Sequence, residues 1–143
     1  DLAAVPFDKY SKLIKFNHPY MKDKKHMIDM EYFNAGVYVT NNKVWIKNNL
    51  TKKVEEIIIS NLSSKLYKGG TQGPLNLLFT TYQKLPDKFN WIIKNRTGKF
   101  ITNKTRIYII HFKGRTKPWK NLQRIHSFYA KKWLLYRNRI VLV

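Results

Sequence analysis

Apolar and polar positions alternate between two periods along this chain. Leu2-Ala3-Ala4-Val5-Pro6 opens as a strand. Phe7 to Met30 is polar and basic, with Pro19 and a Lys22-Asp23-Lys24-Lys25 cluster, and predicts a surface loop holding one short helix. Tyr32 to Thr40 is β-branched and aromatic, which predicts a strand whose later part is buried. Gly36 inside it signals a bulge or a close approach of backbone or ligand. Asn41-Asn42 then caps a helix to about Leu62. There Ile46, Leu50, Val54, Ile57 and Ile58 recur at helical spacing as one core-packing face.

Gly69-Gly70 breaks the chain, and a short helix follows with Pro74 in its first turn and Leu75, Leu78, Phe79 and Tyr82 on one side. Leu85-Pro86 ends that unit, and Phe89 to Ile93 reads as extended. Ile107 to Phe112 is a continuous apolar run of strand length, followed by the loop Lys113 to Trp119. A last amphipathic piece spans about Leu122 to Leu135. Strands alternating with helices predict an α/β class, with the two strongest strands inside a sheet covered on both faces.

Composition narrows the function. The 143 residues contain no Cys, which excludes a disulfide framework, cysteine zinc or iron–sulfur ligation and a cysteine nucleophile. The formal net charge is +20, and residues 88–143 carry fifteen Lys and Arg without one Asp or Glu. Such a surface favours anionic partners: nucleic acid, nucleotide or membrane. Drift toward Lys, Asn and Ile accounts for part of the excess, but not for the loss of every acid from one half. No run reaches the ~20 apolar residues that span a bilayer. The chain starts at Asp1 rather than Met and runs straight into a strand, which reads as a start inside a longer domain.

The loop after the second strong strand concentrates the chemistry. His111 stands at the strand end, where α/β sheets bind ligands. Gly114 allows close backbone approach, and Lys117 offers a point charge for a phosphate before Pro118. A neutral imidazole there serves either as a metal ligand or as a plain hydrogen-bonded core group.

His111-Phe112-Lys113-Gly114-Arg115-Thr116-Lys117-Pro118-Trp119 closely resembles the H-F-x-G-x-x-K-P-W signature of glycosyltransferase family 8, a family that includes lipopolysaccharide galactosyl- and glucosyltransferases and glycogenin. Tyr32-Phe33-Asn34-Ala35-Gly36-Val37 is similar to its Y-F-N-[SA]-G-V strand, and the helix with Trp45 follows. Thr71-Gln72-Gly73-Pro74-Leu75-Asn76 is similar to its D-Q-[DG]-x-L-N element, and Leu85 to Asn90 to its L-P-x-x-[FYW]-N stretch. Leu2 to Pro6 resembles the A-A-V-P strand that follows the family's D-x-D. Five blocks in order cover Leu2 to Trp119.

The resemblance implies the C-terminal portion of a GT-A type α/β fold, a mixed sheet flanked by helices, over 1–121, with a basic aromatic tail over 122–143. It implies retaining transfer of a hexosyl group from a UDP-sugar to a saccharide or glycolipid acceptor, with Mn²⁺. By match, His111 is a metal ligand, and Gly114 and Lys117 hold the diphosphate. Asn34, Ala35 and Gly36 line the donor-sugar pocket, and Gln72 with Thr71 occupies the reacting face.

Two departures stand out. Thr71 replaces the aspartate of D-Q-[DG], and threonine supplies no negative charge. No D-x-D occurs in the chain; Asp29-Met30-Glu31 imitates it but reads as solvated charge. Two metal ligands and the base and ribose pocket are therefore expected upstream of Asp1, and the 143 residues alone are expected to be inactive. The alternative is a catalytically inactive remnant, or a basic module binding nucleic acid or an anionic membrane. Lys131, Lys132, Arg137 and Arg139 interleave with Trp133, Leu134, Leu135, Tyr136 and Ile140, which suits peripheral membrane contact through 131–143. For nucleic acid there is no recognised motif. The expected location is cytoplasmic or membrane-peripheral. The sequons at Asn49, Asn61, Asn95 and Asn103 hint at a secretory route instead.

Overall fold

Leu2–Lys9 forms β1, the central strand of a three-stranded mixed sheet in a computed structural model that describes residues 2–9, 14–15, 18–68, 70–93, 106–113, 117–119 and 127–138. Contacts divide the chain into two compact units, Asp1–Asp87 and Lys88–Val143.

In the first unit β1 pairs antiparallel with β2 (Glu31–Thr40) and parallel with the short β3 (Gln83–Lys84). Pairing runs from Leu2↔Thr40 to Ala4↔Tyr38 and resumes at Pro6↔Phe33, two steps along β1 against five along β2. Asn34 to Val37 is therefore bulged out of the ladder, as Gly36 predicts. Pro6, which has no N–H to give, lies where the register shifts.

Burial along β2 reverses the expectation. Tyr32, Phe33 and Asn34 are the buried residues, whereas Val39 is 59% exposed. β2 is an edge strand, and the helix packed on it covers its first half. The strand after Ile107 is also shorter and less enclosed than predicted, so among the described residues neither strong strand is central in a broad sheet.

Asn41 caps as expected: its side chain accepts from the N–H groups of Lys43 and Val44. The single helix predicted to Leu62 is, however, two: α1 (Asn42–Lys47) and α2 (Leu50–Ser64), split by Asn49 at φ 50°. Asparagine tolerates the left-handed region, and the Asn48 side chain bonds back to the Val44 carbonyl at 2.9 Å. The break rotates Ile46 off the apolar face, leaving it 77% exposed. Leu50 and Val54 still point inward, and α3 (Gln72–Leu78) follows with Pro74 in its first turn.

Two cores result. Leu2, Ala4, Phe33 and Leu75 form one, enclosed by Trp45, Val54, Phe79 and Tyr82. Ile14, Met21, Met27, Tyr32, Leu66 and Tyr67 form the other. This second core corrects the reading of Phe7 to Met30 as surface loop. β1 extends through Lys9, and Pro19–Asp29 forms two short 3-10 turns joined at Lys24 that bury both methionines between charged positions.

In the second unit β4 (Trp91–Ile93) and β5 (Ile110–Phe112) pair in parallel. The expected strands began earlier, but Asp87–Phe89 is a 3-10 turn and Tyr108 lies in a bend. α4 (Ser127–Arg137) seats Tyr129 beside Ile93 and accepts a hydrogen bond from Trp91 Nε1 on the Tyr129 hydroxyl, 2.9 Å. The amphipathic piece predicted from Leu122 lies outside the described residues before Ser127. No helix among the described residues is long and apolar enough to cross a membrane.

Candidate functional site

The bulge in β2 costs the ladder its regular partners, and buried amides replace them. Asn76 is fully buried on α3; its Oδ1 accepts from Phe33 N at 2.8 Å and its Nδ2 donates to Phe33 O at 3.0 Å. The same Nδ2 donates to the Gln72 carbonyl at 2.9 Å. One side chain thus mimics a strand neighbour and ties β2 to α3.

Four residues earlier on the same helix, Gln72 Oε1 accepts from Asn34 Nδ2 at 2.9 Å and from Ala35 N at 3.3 Å. Asn34 Oδ1 in turn accepts from Gly36 N at 3.0 Å. The structure therefore brings together Asn34, Ala35, Gly36 and Gln72 in one polar cluster. The Tyr32 hydroxyl also bonds Gln72; burial and then Tyr67 push that phenol well above its usual range, so it stays protonated.

Thr71 sits at the N-cap of α3, exposed and without a side-chain capping bond. Gly73 packs under the Tyr67 ring, where an added Cβ would overlap ring carbons. A glycine at this point of the D-Q-[DG] element is required by the Tyr67 side chain.

His111 and Lys117 belong to the second unit. Asn90, itself buried, places Oδ1 2.9 Å from His111 Nδ1. An amide oxygen only accepts, so Nδ1 carries the proton and Nε2 the lone pair. Burial, then the ammonium groups of Lys117 and Lys113, hold the imidazole below its ordinary value, in the neutral form a ligand needs. Lys117 Nζ lies 5.1 Å from the Trp119 ring. Gly114 lies outside the described residues.

No group of three His, Cys, Asp or Glu side chains is close enough for a metal among the described residues. His111 has the chemistry of one ligand, and nothing described completes a site around it. The Asp29-Met30-Glu31 imitation is solvated charge: Asp29 pairs with Lys9 at 3.2 Å, and Glu31 pairs with Lys84. Asn61 is half-buried and spends its amide on both backbone groups of Tyr67, at 3.0 and 3.1 Å, so that sequon has a structural use.

Sequence reasoning missed Asn76 and Asn90 as site-building residues. Each closes a block quoted above, and the four-residue step from Gln72 to Asn76 puts both on one helix face. An open cleft of about 630 Å³ lined by Leu2, Thr40, Tyr82 and Gln83, among others, contains none of the expected site residues.

Known proteins bear on this geometry. The family model described as Glycosyl transferase family 8 matches residues 1–123. A lipopolysaccharide 1,2-glucosyltransferase of Escherichia coli strain K12 is 32% identical over 117 residues, covering 74% of this chain and 30% of the relative. Another Escherichia coli lipopolysaccharide 1,2-glucosyltransferase is 34% identical over 99 residues, 62% of this chain and 29% of its own length. Glycogenin-1 of Caenorhabditis elegans is 29% identical over 104 residues, 66% of this chain and 23% of the relative. The chain spans less than a third of the length of these relatives. No solved structure gives a significant match.

Proposed function

Because this chain belongs to glycosyltransferase family 8, whose fold is the GT-A nucleotide-sugar transferase fold, we propose that it serves retaining transfer of a hexosyl group from a UDP-sugar to a saccharide or glycolipid acceptor. The observation that carries the reading is the Gln72–Asn34–Ala35 cluster. The half-buried Gln72 amide and the bulged backbone, locked in place by buried Asn34 and Asn76, offer a sugar's hydroxyls hydrogen-bonding groups in fixed directions.

In this reading Asn34, Ala35 and Gly36 bind the donor sugar, and Gln72 presents its amide beside the anomeric carbon. Thr71 can hydrogen-bond a hydroxyl but lends no negative charge to an oxocarbenium-like centre. Lys117 neutralises charge growing on the departing diphosphate, which Gly114 helps to hold. Mn²⁺ enters as an expectation for His111 alone; when bound, such an ion acts as a Lewis acid on the diphosphate. The described residues do not make a complete site for it.

A membrane contact is the second element of the proposal. On α4, Lys131 and Lys132 are exposed beside Leu135 and Tyr136, both more than half exposed. Cations alternating with apolar and aromatic groups suit an anionic bilayer surface, which supports a peripheral membrane contact in this reading.

The test is transfer from UDP-glucose and UDP-galactose, followed by NMR of the product's anomeric configuration. Gln72→Ala in the protein carrying this chain should lower kcat about a hundredfold, as loss of an oriented transition-state donor does, with KM for the donor little changed. An inverted product, or undiminished kcat in the variant, contradicts the proposal.

A further inference from the structure

Beside the His111 cluster the second unit carries a group of side chains with no role so far. Phe89 and Tyr108 stack with centroids 5.1 Å apart and planes 13° off parallel. Lys88 Nζ lies 5.5 Å from the Phe89 ring and 5.2 Å from the Tyr108 ring. Arg106 Cζ lies 5.2 Å from the Tyr108 ring. Backbone bonds fix the arrangement: the Lys88 carbonyl accepts from Tyr108 N at 2.9 Å and from Ile109 N at 3.1 Å.

Two cations thus converge on one phenol ring that is itself 49% exposed. Neither is paired with a carboxylate among the described residues, and no Asp or Glu follows Asp87 in the sequence. The ring quadrupole attracts each cation but neutralises neither charge. An anion bound at the rim of this ring is attracted by both.

The location is close to the imidazole. Tyr108 precedes His111 by three residues, at most about 11 Å of extended chain. Asn90, the residue after Phe89, is the one that holds His111 Nδ1. We propose that Lys88, Arg106 and the Tyr108 hydroxyl form a subsite for an anionic substituent, a phosphate or a carboxylate, on the saccharide acceptor. This rests on the transferase reading above. Guanidinium binds either anion through paired N–H groups, ammonium adds a point charge, and the phenol hydroxyl reaches a neighbouring sugar hydroxyl. A nucleobase is the poorer fit, since Phe89 already stacks on Tyr108 and two cations lie over the same ring.

The experiment titrates the protein carrying this chain with three trisaccharides of glucose: neutral, 6-phosphorylated, and with glucuronic acid at one position. UDP is titrated in parallel. Both anionic sugars should bind about tenfold more tightly than the neutral one, the gain expected of a charge-assisted contact. The double variant K88Q/R106Q should abolish that preference and leave UDP affinity as it was; Tyr108→Phe should retain most of it. A preference for one anionic sugar alone identifies phosphate or carboxylate as the ligand. Equal binding of all three sugars overturns the proposal, as does a preference that survives K88Q/R106Q. So does a double variant that weakens only binding to phosphatidylglycerol vesicles. If UDP fails to bind while the anionic preference holds, the donor reading fails and this one stands.

Discussion

The two units hold their polar chemistry in opposite ways. In Asp1–Asp87 the reactive-looking amides are anchored from within: Asn34 and Asn76 are buried, Asn76 holding the Phe33 backbone and Asn34 donating to Gln72. Among the described residues of Lys88–Val143 the chemistry is charge near the surface, with the buried amide of Asn90 steering the His111 imidazole. A neutral network can be buried because it is satisfied internally, whereas lysines must stay wet. Loss of a buried, internally satisfied amide should therefore appear as lost stability, and loss of an exposed cation as lost affinity.

The largest effect is expected at Asn76. Asn76→Ala leaves the N–H and C=O of Phe33 unpaired in a core, costing about 3 kcal/mol or more. Thermal unfolding would show it, and Asn76→Asp should be no rescue because it buries a charge. Gly73→Ala comes next, at about 1–3 kcal/mol from overpacking against Tyr67. Tyr67→Leu should relieve part of that cost, so a double-mutant cycle that is strictly additive would contradict the packing account.

Tyr82→Phe is the smallest and sharpens the pH side. The Tyr82 hydroxyl is buried without a hydrogen-bond partner, and burial followed by the Glu31 carboxylate pushes it up to about 12. A phenol whose folded value is raised keeps its full contribution below pH 10 and loses it as pH climbs from 10 through about 12. The variant should be as stable as the parent at pH 8 and fall less between pH 10 and 12. Parallel melting curves across that range check it.

These expectations depend on features read with uneven success from the residues. The bulge was legible because Gly36 has no business in a regular strand, and the helix start was legible because Asn41 is a strong cap. Asn34, Gln72, His111 and Lys117 were singled out through ordered blocks that resemble one family, and the fold brings Asn34 and Gln72 into one cluster. The break at Asn49 was not, since the apolar spacing on both sides continues one helical period while a single left-handed residue interrupts the backbone. The core role of Met21 and Met27 was masked by the lysines around them. Which half of β2 is buried depended on where α3 docks, a tertiary fact that local pattern does not carry.

The central claim is that the second unit grips a diphosphate through Lys117. Calorimetric titration of UDP into the protein carrying this chain, with and without Lys117→Ala, tests it most directly. Loss of a lysine–phosphate contact should weaken binding about tenfold or more, and added salt should narrow the gap. UDP affinity that is the same in both proteins would contradict the account.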